Sequence, residues 1–187
     1  MPLLHSFNHK IYDIMKKYFF LLSILISGLC SAQNLSYSNV LQAEGKSAKD
    51  IYNSVKMWSA TAFSSAKNST QVDDAEKCFI SFNSNTDYRY GSISMAAYDG
   101  WINFTLTVQS RDGRYKVEML NIVHENKPTA TKSCQLGVVL ADEEAYKGFN
   151  KKVASDIKFK VAALFDQLCL SLQESVNKEA NLAEDEW

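Results

Sequence analysis

Histidine is nearly missing from this chain: the 187 residues hold three, and only His124 lies beyond the first 32 positions. Once those positions are set aside, as argued below, a multi-histidine zinc site is excluded and one imidazole base remains. Cysteine is sparse too. Cys78, Cys134 and Cys169 lie in the same portion, an odd number that allows at most one internal disulfide. Cys78 falls in an apolar run and Cys169 beside a helical apolar stripe, so both are expected as small buried hydrophobes. Basic runs are absent after the leader, where the longest is Lys151 and Lys152. A nucleic-acid binder displaces counterions with clustered Lys and Arg, so the composition opposes a nucleic-acid partner. No glycine-rich phosphate loop, nucleophile elbow or dinucleotide fingerprint is present, and no cofactor is implied.

What is present begins with a leader. "MKKYFFLLSILISGLCSAQ", from Met15 to Gln33, has the positive end, apolar centre and small-residue cut site of a secretory signal. Its apolar stretch, Tyr18 to Leu29, is shorter than the roughly 20 residues of a membrane-crossing helix. Cleavage after Ala32 is therefore expected, with residues 1–32 as an N-terminal extension and signal, and the segment before Met15 reads as an upstream start. A lipid anchor on Cys30 is the rival; Leu29 stands where that signal wants a small residue. The mature chain is expected to be exported, periplasmic or extracellular, with no membrane span. Losing Lys10, Lys16, Lys17 and Asp13 takes the chain's 20 basic and 21 acidic residues to 17 and 20, a net charge of −3. Residues 33–176 suffice for one domain with a core, and residues 177–187 form an acidic tail expected to fray.

Periodicity sketches the elements. "LSYSNVLQAE" reads as a strand stopped at Gly45. Ser47, with Asp50 three residues on, caps a helix whose stripe is Ile51, Val55, Trp58 and Ala62; Trp58 is then core. Beyond the loop "AKNSTQVDDAEK", alternation predicts inward rows Cys78, Ile80, Phe82, then Ile93, Met95, Ala97, then Ile102, Phe104, Leu106, Val108, and last Tyr115, Val117, Met119. Asp99-Gly100 and Asp112-Gly113 separate the last three runs as hairpin turns. Past Leu120 the alternation blurs, as a bulge or a doubly buried strand would make it. The stretch from Glu125 to Gly148 has no clear period, and "LGVVLA" within it reads as a short strand. From about Phe149 a stripe of Val153, Ile157, Val161, Leu164, Leu168 and Leu172 predicts a long helix that covers the dry side of the sheet.

Strand, helix, four-stranded meander and helix is the order of half of a TATA-box-binding protein. With "YSNVLQAEGKSAKDIYNSVKMW" and "INFTLTVQSRDGRYKVEMLNI", the chain resembles the domain-of-unknown-function family with a TBP-like fold found in exported proteins of Bacteroides-like bacteria. The resemblance spans roughly Leu35 to Val123. It implies an α+β fold, a curved antiparallel sheet (β-α-β-β-β-β-α) with two helices packed on one face. It brings no activity and no catalytic residues.

Chemistry-bearing residues are few. His124 with Cys78 or Cys134 could make a nucleophile pair, but its neighbours Glu125 and Asn126 suggest a solvent-side strand end. Paired acids such as Asp73, Asp74 and Asp99 could serve a hydrolase if they faced each other across a cleft. Asp73, Asp74 and Glu76 lack the looped spacing of a calcium site; no metal is implied. The polar row of the sheet is the better candidate. Tyr88, Tyr90, Trp101, Asn103, Thr105 and Thr107, with Ser92, Ser94 and Gln109, mix aromatic and small polar groups on a face expected to meet solvent. Such a face suits an extended peptide, a glycan or a protein partner, and an open sheet edge would allow a homodimer. The reading is a non-catalytic exported binding domain, with an envelope hydrolase as the alternative and DNA binding weakest.

Overall fold

The computed structural model describes residues 33–63, 70–127 and 134–184, with side chains to Lys178. The N-terminal extension and secretory signal expected over residues 1–32 lie outside the described residues, as do residues 185–187, Trp187 included.

Strand β1 (Tyr37–Gln42) leads to helix α1 (Ala48–Ala62), then β2 (Thr70–Asp74), β3 (Phe79–Tyr88), β4 (Gly100–Arg111), β5 (Arg114–Asn126), the two-residue β6 (Gly137–Val138) and helix α2 (Phe149–Glu184). The strands form an antiparallel sheet in the order β1-β5-β4-β3-β2, with β6 beside the far end of β5. One face is dry. Ile102, Phe104, Leu106 and Val108 of β4 and Tyr115, Val117 and Met119 of β5 are all buried. The α1 stripe of Ile51, Val55 and Trp58 covers them together with Val153, Ile157, Val161, Phe165, Cys169, Leu172 and Val176 of α2. Trp58 meets Phe82 edge-on and donates its indole N–H to Ser171 Oγ at 3.0 Å, joining sheet, α1 and α2. Phe165 stacks on Tyr37 at the β1 side.

Local signals explain most element ends. Ser47 and Asp50 form a reciprocal capping box, satisfying backbone donors that a helix start otherwise strands. Asp112, in the β4–β5 turn, accepts the Ala48 N–H at 2.8 Å, so the hairpin itself caps α1. Asp112→Ala is expected to cost about 1 kcal/mol and Asp112→Asn much less; urea unfolding measures both, and equal losses would discount the cap. In that turn Gly113 alone takes a positive φ, 72°.

Four expectations change. "DYRYGSISMAA" is not a strand: β3 runs on to Tyr88, and Ile93–Tyr98 make a 3-10 turn with Ile93 97 % exposed and Met95 buried. The reason is edge supply, because β4 already pairs with β3 on one side and β5 on the other. The missing strand is β2, from residues expected as loop. Asp99-Gly100 is no hairpin; Gly100 opens β4 opposite Asn126. Cys78 precedes β3 at φ 48° instead of opening it, and is only half-buried where it packs against the core. Finally, His124 is fully buried. Between Asn103 and Thr105 the β4–β5 register slips, Asn121 takes φ 53°, and this bulge moves Ile122 and His124 into the inward phase that Met119 held.

Candidate functional site

The outward face of β4 carries Trp101, Asn103, Thr105 and Thr107, each half-exposed, as alternation requires. Their direct partners on β3 are Asp87, Asn85, Asn83 and Ser81. Asn121, pushed out by the bulge, joins from the β5 side. Together Asn83, Asn85, Asn103, Asn121, Thr105 and Gln71 line an open depression of about 460 Å³ in the middle of the sheet. It contains no titratable side chain. Asn121 Nδ2 donates to Thr105 Oγ1 at 3.3 Å, and Thr105 donates on to Asn83 Oδ1 at 2.9 Å. This chain fixes the orientation of three side chains across three strands. The Asn85 and Asn103 amides stand side by side as a cross-strand pair, each carrying donors and an acceptor. Trp101 closes one end of the row, with Lys127 Nζ 5.8 Å from its ring centroid and 3.5 Å from Asp87.

Two of the expected site residues lie elsewhere. Tyr88 points inward, not to the open face: it is buried and donates to Asp156 of α2 at 2.8 Å, while Lys160 lies over its ring. Its place follows from a continuous β3, since counting by twos from Ile80 and Phe82 reaches Tyr88; Ser84 and Thr86 hide that phase in the sequence. Burial, and then the bond to Asp156, push the Tyr88 phenol far above its ordinary pKa. Tyr90 is off the sheet, with its N–H on Asp99 at 3.0 Å, and Ser92 and Ser94 bond each other by the 3-10 turn. Sequence reading missed Asn83 and Asn85, which extending β3 by two-residue steps would have found. Asn121 carried no such signal, because the bulge that exposes it is a pairing event.

The carboxylates are engaged singly. Asp73 accepts from Lys56 at 2.7 Å and from the Tyr52 hydroxyl; these bonds, Lys56 first, hold its carboxyl below the usual range. Asp74 is held below that range by Lys77, 2.9 Å away. Neither these two nor Asp99 lines the depression. His124 meets no cysteine thiol: its Nδ1 accepts the Leu136 N–H at 3.2 Å and its Nε2 lies 2.8 Å from the Tyr98 carbonyl. A carbonyl only accepts, so Nε2 bears the proton and the ring is neutral. Cys78, Cys134 and Cys169 are free thiols, and burial raises that of Cys169 to about 11. Among the described residues no group of three or more His, Cys, Asp or Glu could hold a metal ion, and no helix is long and apolar enough to cross a membrane.

Comparison with known proteins agrees with this architecture. Residues 37–125 match the family model described as domain of unknown function (DUF4468) with TBP-like fold. Among solved structures, a TBP-like protein from Parabacteroides distasonis superposes with a TM-score of 0.54 at 18 % identity, covering 75 % of this chain and 93 % of its own. A DUF4468 family protein from Bacteroides ovatus gives 0.53 at 14 % identity, with 76 % and 86 % covered. At such identities the likeness shows the fold alone. No curated protein matches the sequence.

Proposed function

Because the chain carries the DUF4468 domain with its TBP-like fold over residues 37–125, a domain without an assigned activity, we propose that it is a non-catalytic binding domain. Its ligand is an extended, hydroxyl-rich chain, a glycan strand, laid across the exposed face of the sheet. The observation that carries this reading is the depression lined by side-chain amides and a threonine hydroxyl with no titratable group. Asn side chains both donate and accept, as hydroxyls do, so neighbouring amides suit neighbouring hydroxyls without the desolvation cost of a buried charge. Pre-orientation of Asn83, Thr105 and Asn121 reduces the ordering cost of binding. Trp101 supplies a stacking surface about 7 Å from Asn103, two residues along the strand. The signal-like segment from Met15 to Ala32 supports an exported location, periplasmic or extracellular, where glycans are met.

The test is a side-chain amide NMR titration of residues 33–187 with neutral hexasaccharides (maltohexaose, cellohexaose, xylohexaose) and, as a contrast, an extended uncharged peptide. At least one sugar is expected to shift the Asn85 and Asn103 NH2 signals. Asn85→Ala with Asn103→Ala is expected to weaken that binding about tenfold or more, the loss of one or two good hydrogen bonds. Shifts produced by the peptide and by none of the sugars would overturn the glycan assignment.

A further inference from the structure

Arg111 and Arg114 face each other as the last cross-strand pair of the β4–β5 hairpin, and both are exposed. Like charges directly opposite on a sheet destabilise it unless an anion lies between them. The described residues provide none. Asp112, the acid of the turn, aims its carboxylate at the Ala48 N–H, and Glu118 is taken by Lys116 at 2.7 Å. Neither arginine makes an ion pair among the described residues. With Lys116 and Val40 the two arginines line a second depression of about 240 Å³. Gln109, on its rim, turns its amide nitrogen away to the Lys77 carbonyl at 2.6 Å. The depression is therefore bordered by two arginines without an ion-pair partner among the described residues, beside a lysine already paired with Glu118.

We propose that this depression is an oxyanion subsite, taking the carboxylate or sulfate group of an acidic glycan whose neutral units lie over the amides. The carrier rests on the glycan reading above; the oxyanion subsite does not. A guanidinium fork matches a carboxylate or sulfate with two parallel hydrogen bonds, and two forks converging from adjacent strands grip one anion from both sides. Gln109 stands four residues beyond Thr105 on the same face of β4, about 13 Å at strand rise, within reach of a few sugar units. The anion relieves the Arg111–Arg114 repulsion, so binding and hairpin stability rise together.

Sodium sulfate is titrated against sodium chloride at matched ionic strength, on the wild type and on the Arg111→Gln/Arg114→Gln double variant. Oligogalacturonate and maltohexaose follow as acidic and neutral probes. The double variant is expected to fold, because it removes a repulsion at an exposed turn. In the wild type, sulfate is expected to shift the two arginine Nε–H signals saturably. It is also expected to raise the melting temperature more than in the double variant, since the general effect of sulfate acts on both alike. Oligogalacturonate is expected to bind the wild type at least about tenfold more tightly than the double variant, with maltohexaose shifts at Asn85 and Asn103 unchanged between them. Arginine signals that move no further in sulfate than in chloride overturn the subsite. Saturable sulfate shifts with no binding of either sugar keep the subsite and overturn its glycan carrier. Maltohexaose binding without arginine shifts in sulfate overturns the subsite and leaves the amide reading intact.

Discussion

Gly100→Ala is expected to destabilise the domain by more than about 3 kcal/mol, at the upper end of overpacking losses. A Cβ built on Gly100 would lie 1.9 Å from the Glu125 carbonyl oxygen, 2.8 Å from its carbon and 2.9 Å from the Asn126 Cα. All three are backbone atoms of the paired strand, so no rotamer change makes room and the β4–β5 ladder must part at this end. Gly100 is not among the residues with positive φ; it is there for space, not for conformational freedom. Gly113 is the contrast, with φ 72° and nothing within 4 Å of a built Cβ, so Gly113→Ala should cost only about 1 kcal/mol, the strain of a left-handed alanine. Urea unfolding followed by tryptophan fluorescence ranks the two. A Gly100→Ala protein as stable as the wild type, or more stable than Gly113→Ala, would refute the close approach.

His124→Ala should cost about 3–5 kcal/mol, combining a cavity with two stranded backbone groups at about 1–3 kcal/mol each. The imidazole ties three segments together: β5 holds the ring, the Tyr98 carbonyl ends the 3-10 turn, and the Leu136 N–H precedes β6. Tyr88 packs edge-on against it, centroids 5.1 Å apart, and behind that phenol stand Asp156 and Lys160. Burial depresses the His124 pKa, and protonating Nδ1 would set a proton against the Leu136 N–H. In the unfolded chain the imidazole titrates near its ordinary 6.5, so the unfolded state binds the proton first. Stability is therefore complete above about pH 6.5 and falls as the pH drops below it, by up to about 1.4 kcal/mol per pH unit until the folded pKa is reached. Asp73 and Asp74, whose folded pKa values lie below 3.8, begin to matter only at lower pH. His124→Gln retains a donor and an acceptor without the titration. Denaturation at pH 7.5, 6.5, 5.5 and 5.0 should slope for the wild type and stay flat for this variant; two parallel slopes would rule out His124 as the acid-sensitive group.

How readily each feature could be read follows from how local its cause is. The β4 alternation from Trp101 to Ser110 was legible because the two-residue period holds wherever one strand separates core from water. Tyr88 is not legible in this way because small hydroxyl residues interrupt the β3 row, and its inward phase shows only once β3 is known to continue through Asp87. His124 is hidden for a different reason: its neighbour Glu125 is exposed, yet one inserted residue at Asn121 reverses the phase for everything after it. The site shows the same division. Asn103 and Thr105 were in view from β4 alone, whereas Asn83, Asn85 and Asn121 acquire meaning only as partners across strands.

By itself the sequence determined the elements whose forces act within one turn or one strand: the Ser47–Asp50 box, the α2 stripe beginning at Val153, the Asp112-Gly113 turn and the dry row of β4. Tertiary structure alone decided which segment became the missing strand, that Gly100 had to lack a side chain, that His124 turned inward, and that four asparagines from three strands met in one hollow. The physical reason is that a residue's face within a strand is set by its own backbone period. Edge availability, interstrand clearance and register slips are properties of two strands together, and no single segment encodes them.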